Sequence, residues 1–161
     1  MHRVEQFFGH LRARVAADEA DLARRILPAS AWPLFARMPV ADRRHALDVV
    51  GRLTAAGRDD RDLLVAALLH DCAKGDRLRL WHRVAGVLLE AVSRRTIASW
   101  ASPDPASWRY PLYLYLHHAE LSADAAATAG CSPRSVSFIR GTAAGLDASS
   151  AAAFAAADEA S

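Results

Sequence analysis

The chain has 161 residues, enough for one domain with a hydrophobic core, and its formal net charge is only +2. Its arginines are interleaved with acidic residues, so the charge pattern is that of a solvated surface and nucleic acid is not an expected partner. No apolar run approaches the ~20 residues of a membrane-spanning helix, and the first residues lack the apolar segment of a signal peptide. We therefore expect a cytoplasmic protein with no membrane partner.

Helix signals follow one another along the whole chain. Apolar residues recur with the period of an α-helix, and proline and glycine separate the periodic segments. A proline-punctuated connector covers 28–39. In chain order, the predicted helices cover residues 4–27, 41–56, 62–74, 78–100 and 111–130, followed by one that begins at Pro133 and a last one at Ser149 or Ser150.

Several of these boundaries carry the residue types that helix ends favour. Pro111 and Pro133 stand at first-turn positions, and Ser132 is a suitable N-cap. Ser149 or Ser150 is available to cap the last helix. Because helices of these lengths must bury their apolar stripes on one another, we predict a compact all-α bundle of about six to eight helices.

The segment DLLVAALLHDCAKGD, residues 62–76, is the most informative part of the sequence. Its apolar residues run without a break, so the helix belongs in the middle of a core. Yet it ends on His70 and Asp71, followed by Lys74, the only lysine beside nineteen arginines. Two interpretations stay open here. Asp71 and Lys74 form a simple surface pair, or the histidine and the carboxylate bind a divalent metal.

Two further polar residues lie on apolar helical stripes. His45 is in line with Ala41 and Val49, and Asp158 is in line with Phe154. A carboxylate on the stripe of a core phenylalanine is unusual without a partner. Together with the His-Asp dipeptide, these residues offer two nitrogens and two oxygens. Such a set suits a divalent ion such as Mn²⁺, Fe²⁺ or Zn²⁺ and leaves positions open for water.

The order RRHALDVV, AALLHDCAK and AADEAS resembles the HD superfamily of metal-dependent phosphohydrolases, whose signature is H…HD…D on an all-α bundle. The resemblance implies a single domain over 1–161, with an HD core over 38–161 and an N-terminal helical extension over 1–37. An insertion near 78–108 would interrupt the core. Carried over by position, the metal ligands would be His45, His70, Asp71 and Asp158.

The resemblance also implies catalytic roles. Lys74 stands where some family branches place a phosphate-contacting lysine, so Lys74 and Asp71 are the expected catalytic residues. A lysine offers a compact point charge where arginine offers a wide planar fork, which favours a crowded phosphate pocket around Lys74. Asp48, three residues after His45, is expected to orient that imidazole from outside the ligand set.

The other histidines are ambiguous. His118 matches the first of two additional histidines in dinuclear family branches, although Ser122 replaces a glycine there. It is therefore a candidate ligand for a second metal or for the substrate. Thr142 stands where the second additional histidine would fall, which leaves one metal ion as the expectation. His82 is interpreted as structural, and His117 as either a surface residue or part of the site.

The resemblance implies a hydrolase that uses metal-activated water on a small phosphorylated substrate, with a nucleotide as the implied class. The cofactor would be a divalent ion such as Mn, Fe, Zn, Co, Ni or Mg. The alternative is a catalytically degenerate HD module, in which the metal is structural or regulatory and the protein acts through a protein partner. The absence of a histidine at Thr142 favours that alternative.

Overall fold

A computed structural model of the chain describes residues 15–74 and 94–161. Within these two ranges the regular elements are helical and no strand occurs, which confirms the predicted all-α bundle of six to eight helices. The helices are α1 (Ala17–Ile26), α2 (Trp32–Ala36), α3 (Val40–Ala55), α4 (Arg61–Leu69), α5 (Arg94–Trp100), α6 (Tyr110–Thr128), α7 (Pro133–Arg140) and α8 (Ala148–Ala160), and a 3₁₀ turn covers Gly145–Asp147.

Helix α4 lies in the middle of the bundle, as its sequence predicts. Asp60 caps it, because its Oδ1 accepts a hydrogen bond from the backbone N–H of Leu63 at 3.1 Å. All seven residues 63–69 are buried, and the helix packs against α1, α2, α3, α7 and α8. Burying a leucine side chain of this kind stabilises the fold by about 1.5–3 kcal/mol. This helix therefore fixes the position of whatever follows its last turn.

The chain leaves α4 through a tight turn, so this helix ends earlier than predicted. The backbone N–H of Cys72 donates to the carbonyl of Leu69, and that of Lys74 donates to the carbonyl of Asp71, both at 3.0 Å. Ser122 of α6 supports the turn, since its buried Oγ accepts from the N–H of Ala73 at 3.1 Å. Ser122 therefore has a structural role in this turn.

Other boundaries separate into confirmed and wrong predictions. Ser132 caps α7 as predicted, because its Oγ accepts from the N–H of Ser135 at 3.0 Å. The predicted cap at Ser149 or Ser150 is wrong, since α8 begins at Ala148 directly after a 3₁₀ turn. The connector over 28–39 contains the short helix α2. Residues 1–14 and 75–93, with much of the predicted N-terminal extension and insertion, lie outside the described residues.

None of the helices in 15–74 and 94–161 combines the length and the apolar composition that a membrane crossing requires.

Candidate metal centre

Three helices bring three of the predicted ligands together. His45 lies on α3, His70 caps the C-terminal end of α4, and Asp158 lies in the last turn of α8. The Nε2 of His45 lies 2.8 Å from Oδ1 of Asp158, and the Nε2 of His70 lies 3.2 Å from the same oxygen. One ligand atom from each of the three residues falls within 4.8 Å of the others. That spacing is compatible with one shared cation.

His70 is held in the orientation that a ligand needs. Its Nδ1 lies 2.9 Å from the carbonyl oxygen of Ala67, which can only accept, so Nδ1 carries a proton and, in the neutral ring, Nε2 has a lone pair. The ring of Phe154 packs edge-on against it, with centroids 5.6 Å apart. Nε2 is buried and has no hydrogen-bond partner despite the nearby carboxylate of Asp158. An orphaned buried acceptor is costly in a folded protein, and a cation would satisfy it.

Asp71, the fourth predicted ligand, lies beside this group but is engaged elsewhere. Its Oδ2 is 2.5 Å from Nζ of Lys74 and 3.6 Å from Nε2 of His70. Its Oδ1 is buried without a hydrogen-bond partner and lies 3.9 Å from Nε2 of His118. One oxygen of Asp71 is therefore neutralised by a lysine, and the other faces a histidine.

Lys74 forms the pair with Asp71 that the simpler interpretation of the sequence predicts, but the pair is not on the surface. The side chain of Asp71 is 4% exposed and that of Lys74 is 20% exposed. A buried carboxylate without its cation would be strongly unfavourable, so Lys74 has a structural role in the described conformation. The contact of Lys74 with a phosphate stays a prediction.

His118 repeats the arrangement of His70 on a neighbouring helix. Its Nδ1 lies 2.9 Å from the carbonyl oxygen of Tyr115, which directs Nε2 towards Asp71. Burial lowers the pKa of His118, and the charge of Lys74 lowers it further, so the protein favours the neutral form of this imidazole. His118 thus lies beside Asp71 and lines the same cavity as His70 and Asp158.

The remaining predicted residues lie away from this group. The carboxylate of Asp48 binds its own-helix neighbour Arg44 at 2.9 Å, and its described hydrogen bonds go there and not to His45. His117 packs on Tyr113 with ring centroids 4.5 Å apart, and its side chain is 41% exposed. Thr142 is exposed in the segment after α7. His82 lies outside the described residues.

The charges at the centre favour a cation. Burial raises the pKa of Asp158, but the hydrogen bond with His45 and the proximity of His70 outweigh it and hold that pKa well below its usual range. Burial also raises the pKa of Asp71, but His70 and Lys74 hold it well below its usual range. Burial lowers the pKa of His70, and the carboxylates of Asp71 and Asp158, with the carbonyl of Ala67, together more than reverse that effect. Two ionised carboxylates therefore lie against buried imidazoles.

A cavity of about 290 Å³ opens beside the centre. His70, His118 and Asp158 are its polar lining residues. Ala151, Phe154 and Ala155 lie on the same helical stripe as Asp158, so the sequence groups these residues, but nothing local marks Phe138 and Ile139 as their neighbours. The apolar lining includes Phe138, Ile139, Ala151, Phe154 and Ala155.

The donor set fits a divalent transition metal, since it offers two imidazole nitrogens and a carboxylate oxygen, with the orphaned Nε2 of His70 among them. Comparisons of this chain with models of protein families, with curated proteins and with solved structures found no match. The resemblance to the HD superfamily therefore depends on the sequence pattern and on this geometry alone.

Proposed function

We propose that the protein is a metal-dependent phosphohydrolase of the HD type, which hydrolyses a small phosphate ester or anhydride. The observation that carries the proposal is the convergence of His45, His70 and Asp158 from three separate helices onto one point. The order of these residues along the chain, H…HD…D, supports the same conclusion. A nucleotide is the substrate class that the resemblance implies.

The residues around the point have distinct roles in this proposal. A divalent ion held by His45, His70 and Asp158 would supply Lewis-acid activation of water and of the phosphoryl group. Asp71 offers its buried Oδ1 as a hydrogen-bond acceptor, while Lys74 balances its charge. His118 lines the cavity, and its Nδ1 is held by the carbonyl of Tyr115, so its Nε2 is placed to accept a hydrogen bond there.

One observation favours a second candidate function, the regulatory HD module. The ammonium group of Lys74 is paired with Asp71, and a lysine held by a carboxylate is less available to a substrate phosphate. In that case the metal would stabilise the assembled centre and signal its occupancy to a protein partner, without turnover.

The experiment that tests the proposal combines metal content with activity. Wild-type protein purified without chelator is expected to contain a divalent metal and, with added Mn²⁺, to hydrolyse members of a panel of nucleotides and simple phosphate monoesters. Asp158→Ala should lose both properties. Asp48→Ala is the matched control, because it removes a carboxylate that binds Arg44 and should retain both.

The two candidate functions give different results. Bound metal with no hydrolysis of any compound in the panel would favour the regulatory module. Wild-type protein that holds no metal after loading with Mn²⁺, Fe²⁺ or Zn²⁺ would contradict both.

A further inference from the structure

The cavity beside the metal centre is lined by two unlike sets of residues, and this difference bears on the substrate. His70 and Asp158, which are proposed ligands, line the cavity, so a phosphoryl group at the centre would lie within it. Most of the remaining lining is hydrocarbon, with the rings of Phe138 and Phe154 and the side chain of Ile139. A group attached to that phosphoryl would therefore enter an apolar environment.

The size of the cavity limits what can enter. Its volume is about 290 Å³, at the lower end of pockets that hold drug-sized ligands, which begin at about 300 Å³. An engineered apolar cavity of roughly 150 Å³ holds one benzene ring. Once a phosphoryl group occupies the polar end, the remaining space suits one ring or a short alkyl chain, and not a nucleoside with its sugar.

The charges of the residues that line the cavity also favour a small substrate with few negative charges. Among the described residues that line the cavity there is no lysine or arginine, and Asp158 is the only acidic residue. Lys74 is already matched by Asp71. One divalent ion can balance a phosphomonoester dianion, but the additional charges of a nucleoside triphosphate would lie unpaired against hydrocarbon, which is unfavourable.

We infer, on the basis of the proposed function, that the preferred substrate is a phosphomonoester whose leaving group is a single apolar ring or a short alkyl chain. In the reaction, water adds to phosphorus, the bond from phosphorus to the ester oxygen breaks, and the leaving oxygen takes up a proton. The products are an alcohol or phenol and inorganic phosphate. Ala151 and Ala155 determine specificity, because their small side chains leave the space for the apolar group.

Binding of non-hydrolysable phosphonates to the Mn²⁺-loaded protein tests this inference separately from turnover. Phenylphosphonate should bind about tenfold more tightly than methylphosphonate, as expected for apolar contacts in a matching pocket. It should also bind more tightly than α,β-methylene-ADP. Ala151→Leu should abolish the advantage of the phenyl group without changing the metal content. Ala155→Leu provides the same test if Ala151→Leu does not fold.

Ala152→Leu is the matched control, because Ala152 lies on the same helix, is exposed and does not line the cavity. It should keep the preference for the phenyl group. Equal affinity for the two phosphonates, tightest binding of the nucleotide analogue, or an equal effect of Ala152→Leu and Ala151→Leu would overturn the inference. Binding of phenylphosphonate without hydrolysis of phenyl phosphate or of any other compound in the panel would overturn the proposed hydrolase and leave the inference about the cavity intact.

Discussion

Both ends of α4 carry aspartate residues, yet the two ends differ in how well their polar atoms are hydrogen-bonded. At the N-terminal end, Oδ1 of Asp62 accepts from Oγ of Ser132 at 2.7 Å and from Oγ of Ser135 at 3.1 Å. At the C-terminal end, Nε2 of His70 and Oδ1 of Asp71 are buried without hydrogen-bond partners.

The N-terminal end is further closed by a guanidinium group. Arg134 binds Asp60 at 2.6 Å through Nη1 and Asp147 at 2.8 Å through Nη2. A satisfied network of this kind stabilises and fixes the packing of α4, α7 and the turn before α8. Orphaned polar atoms at the other end are costly, and their presence indicates that the end is built for a ligand. The N-terminal end of α4 therefore has a structural role, and the C-terminal end is the candidate functional site.

The largest expected effect is on the free energy of unfolding, which a divalent metal bound at the C-terminal end of α4 should raise. A ligand at about a hundred times its dissociation constant raises the free energy of unfolding by about 2.7 kcal/mol. We expect such an increase for the wild-type protein with Mn²⁺, measured by thermal unfolding and reversed by chelator. Asp158→Ala should show no increase, because it removes the oxygen shared by the two imidazoles. Arg134→Gln should unfold at a lower temperature and still respond fully to metal. A similar response in all three proteins would contradict the assignment.

Lys74→Ala should break the described pair and leave the buried carboxylate of Asp71 without its cation. Loss of a charged partner costs about 1–3 kcal/mol of unfolding free energy, to be measured by urea denaturation. In a double-mutant cycle with Asp71→Asn, the two changes should be non-additive, because they remove the same interaction. If Lys74→Ala leaves the stability unchanged and lowers only kcat/KM, then Lys74 contacts the substrate and does not stabilise the fold.

Ser132→Ala tests the satisfied end of α4. It removes the cap of α7 and one of the two hydroxyl donors to Asp62, so we expect a loss of about 1 kcal/mol with unchanged metal content. Ser150→Ala is the control, since Ser150 lies inside α8 and does not cap it. It should change stability by less than about 0.5 kcal/mol. Equal effects of the two substitutions would argue against the capping role.

The smallest expected effect depends on pH. The hydrogen bond from Arg134 holds the pKa of Asp60 below its usual range, against the opposing effect of burial. A carboxyl group with a lowered folded-state pKa adds stability above its unfolded pKa of about 3.9 and loses that contribution as the pH falls through the folded value. The difference in urea midpoint between wild type and Arg134→Gln should therefore narrow from about pH 5 to pH 3. If the difference in urea midpoint stays constant over that range, the protonation of Asp60 does not cause it.

The sequence predicts the features that depend on local periodicity. The unbroken apolar run of α4 predicts its burial, and the apolar stripes around His45 and Asp158 predict that these side chains face inward. Helical periodicity does not predict which partner a polar side chain takes or which helices meet. Asp48 binds Arg44 one turn earlier on its own helix, and the walls of the cavity come from α7 and α8. In the alanine-rich α8, helix propensity is uniform, so no residue marks where the helix begins.

The light packing of α8 has a consequence for motion. Only Phe154 and Ala157 of its thirteen residues are buried, whereas all seven residues 63–69 of α4 are. Little apolar surface therefore resists local unfolding of α8, and its backbone amides should exchange hydrogen for deuterium faster than those of α4. Each opening would carry Asp158 away from both histidines. A bound cation would tie the helix down, so its slowest-exchanging amides should report the residence time of the metal.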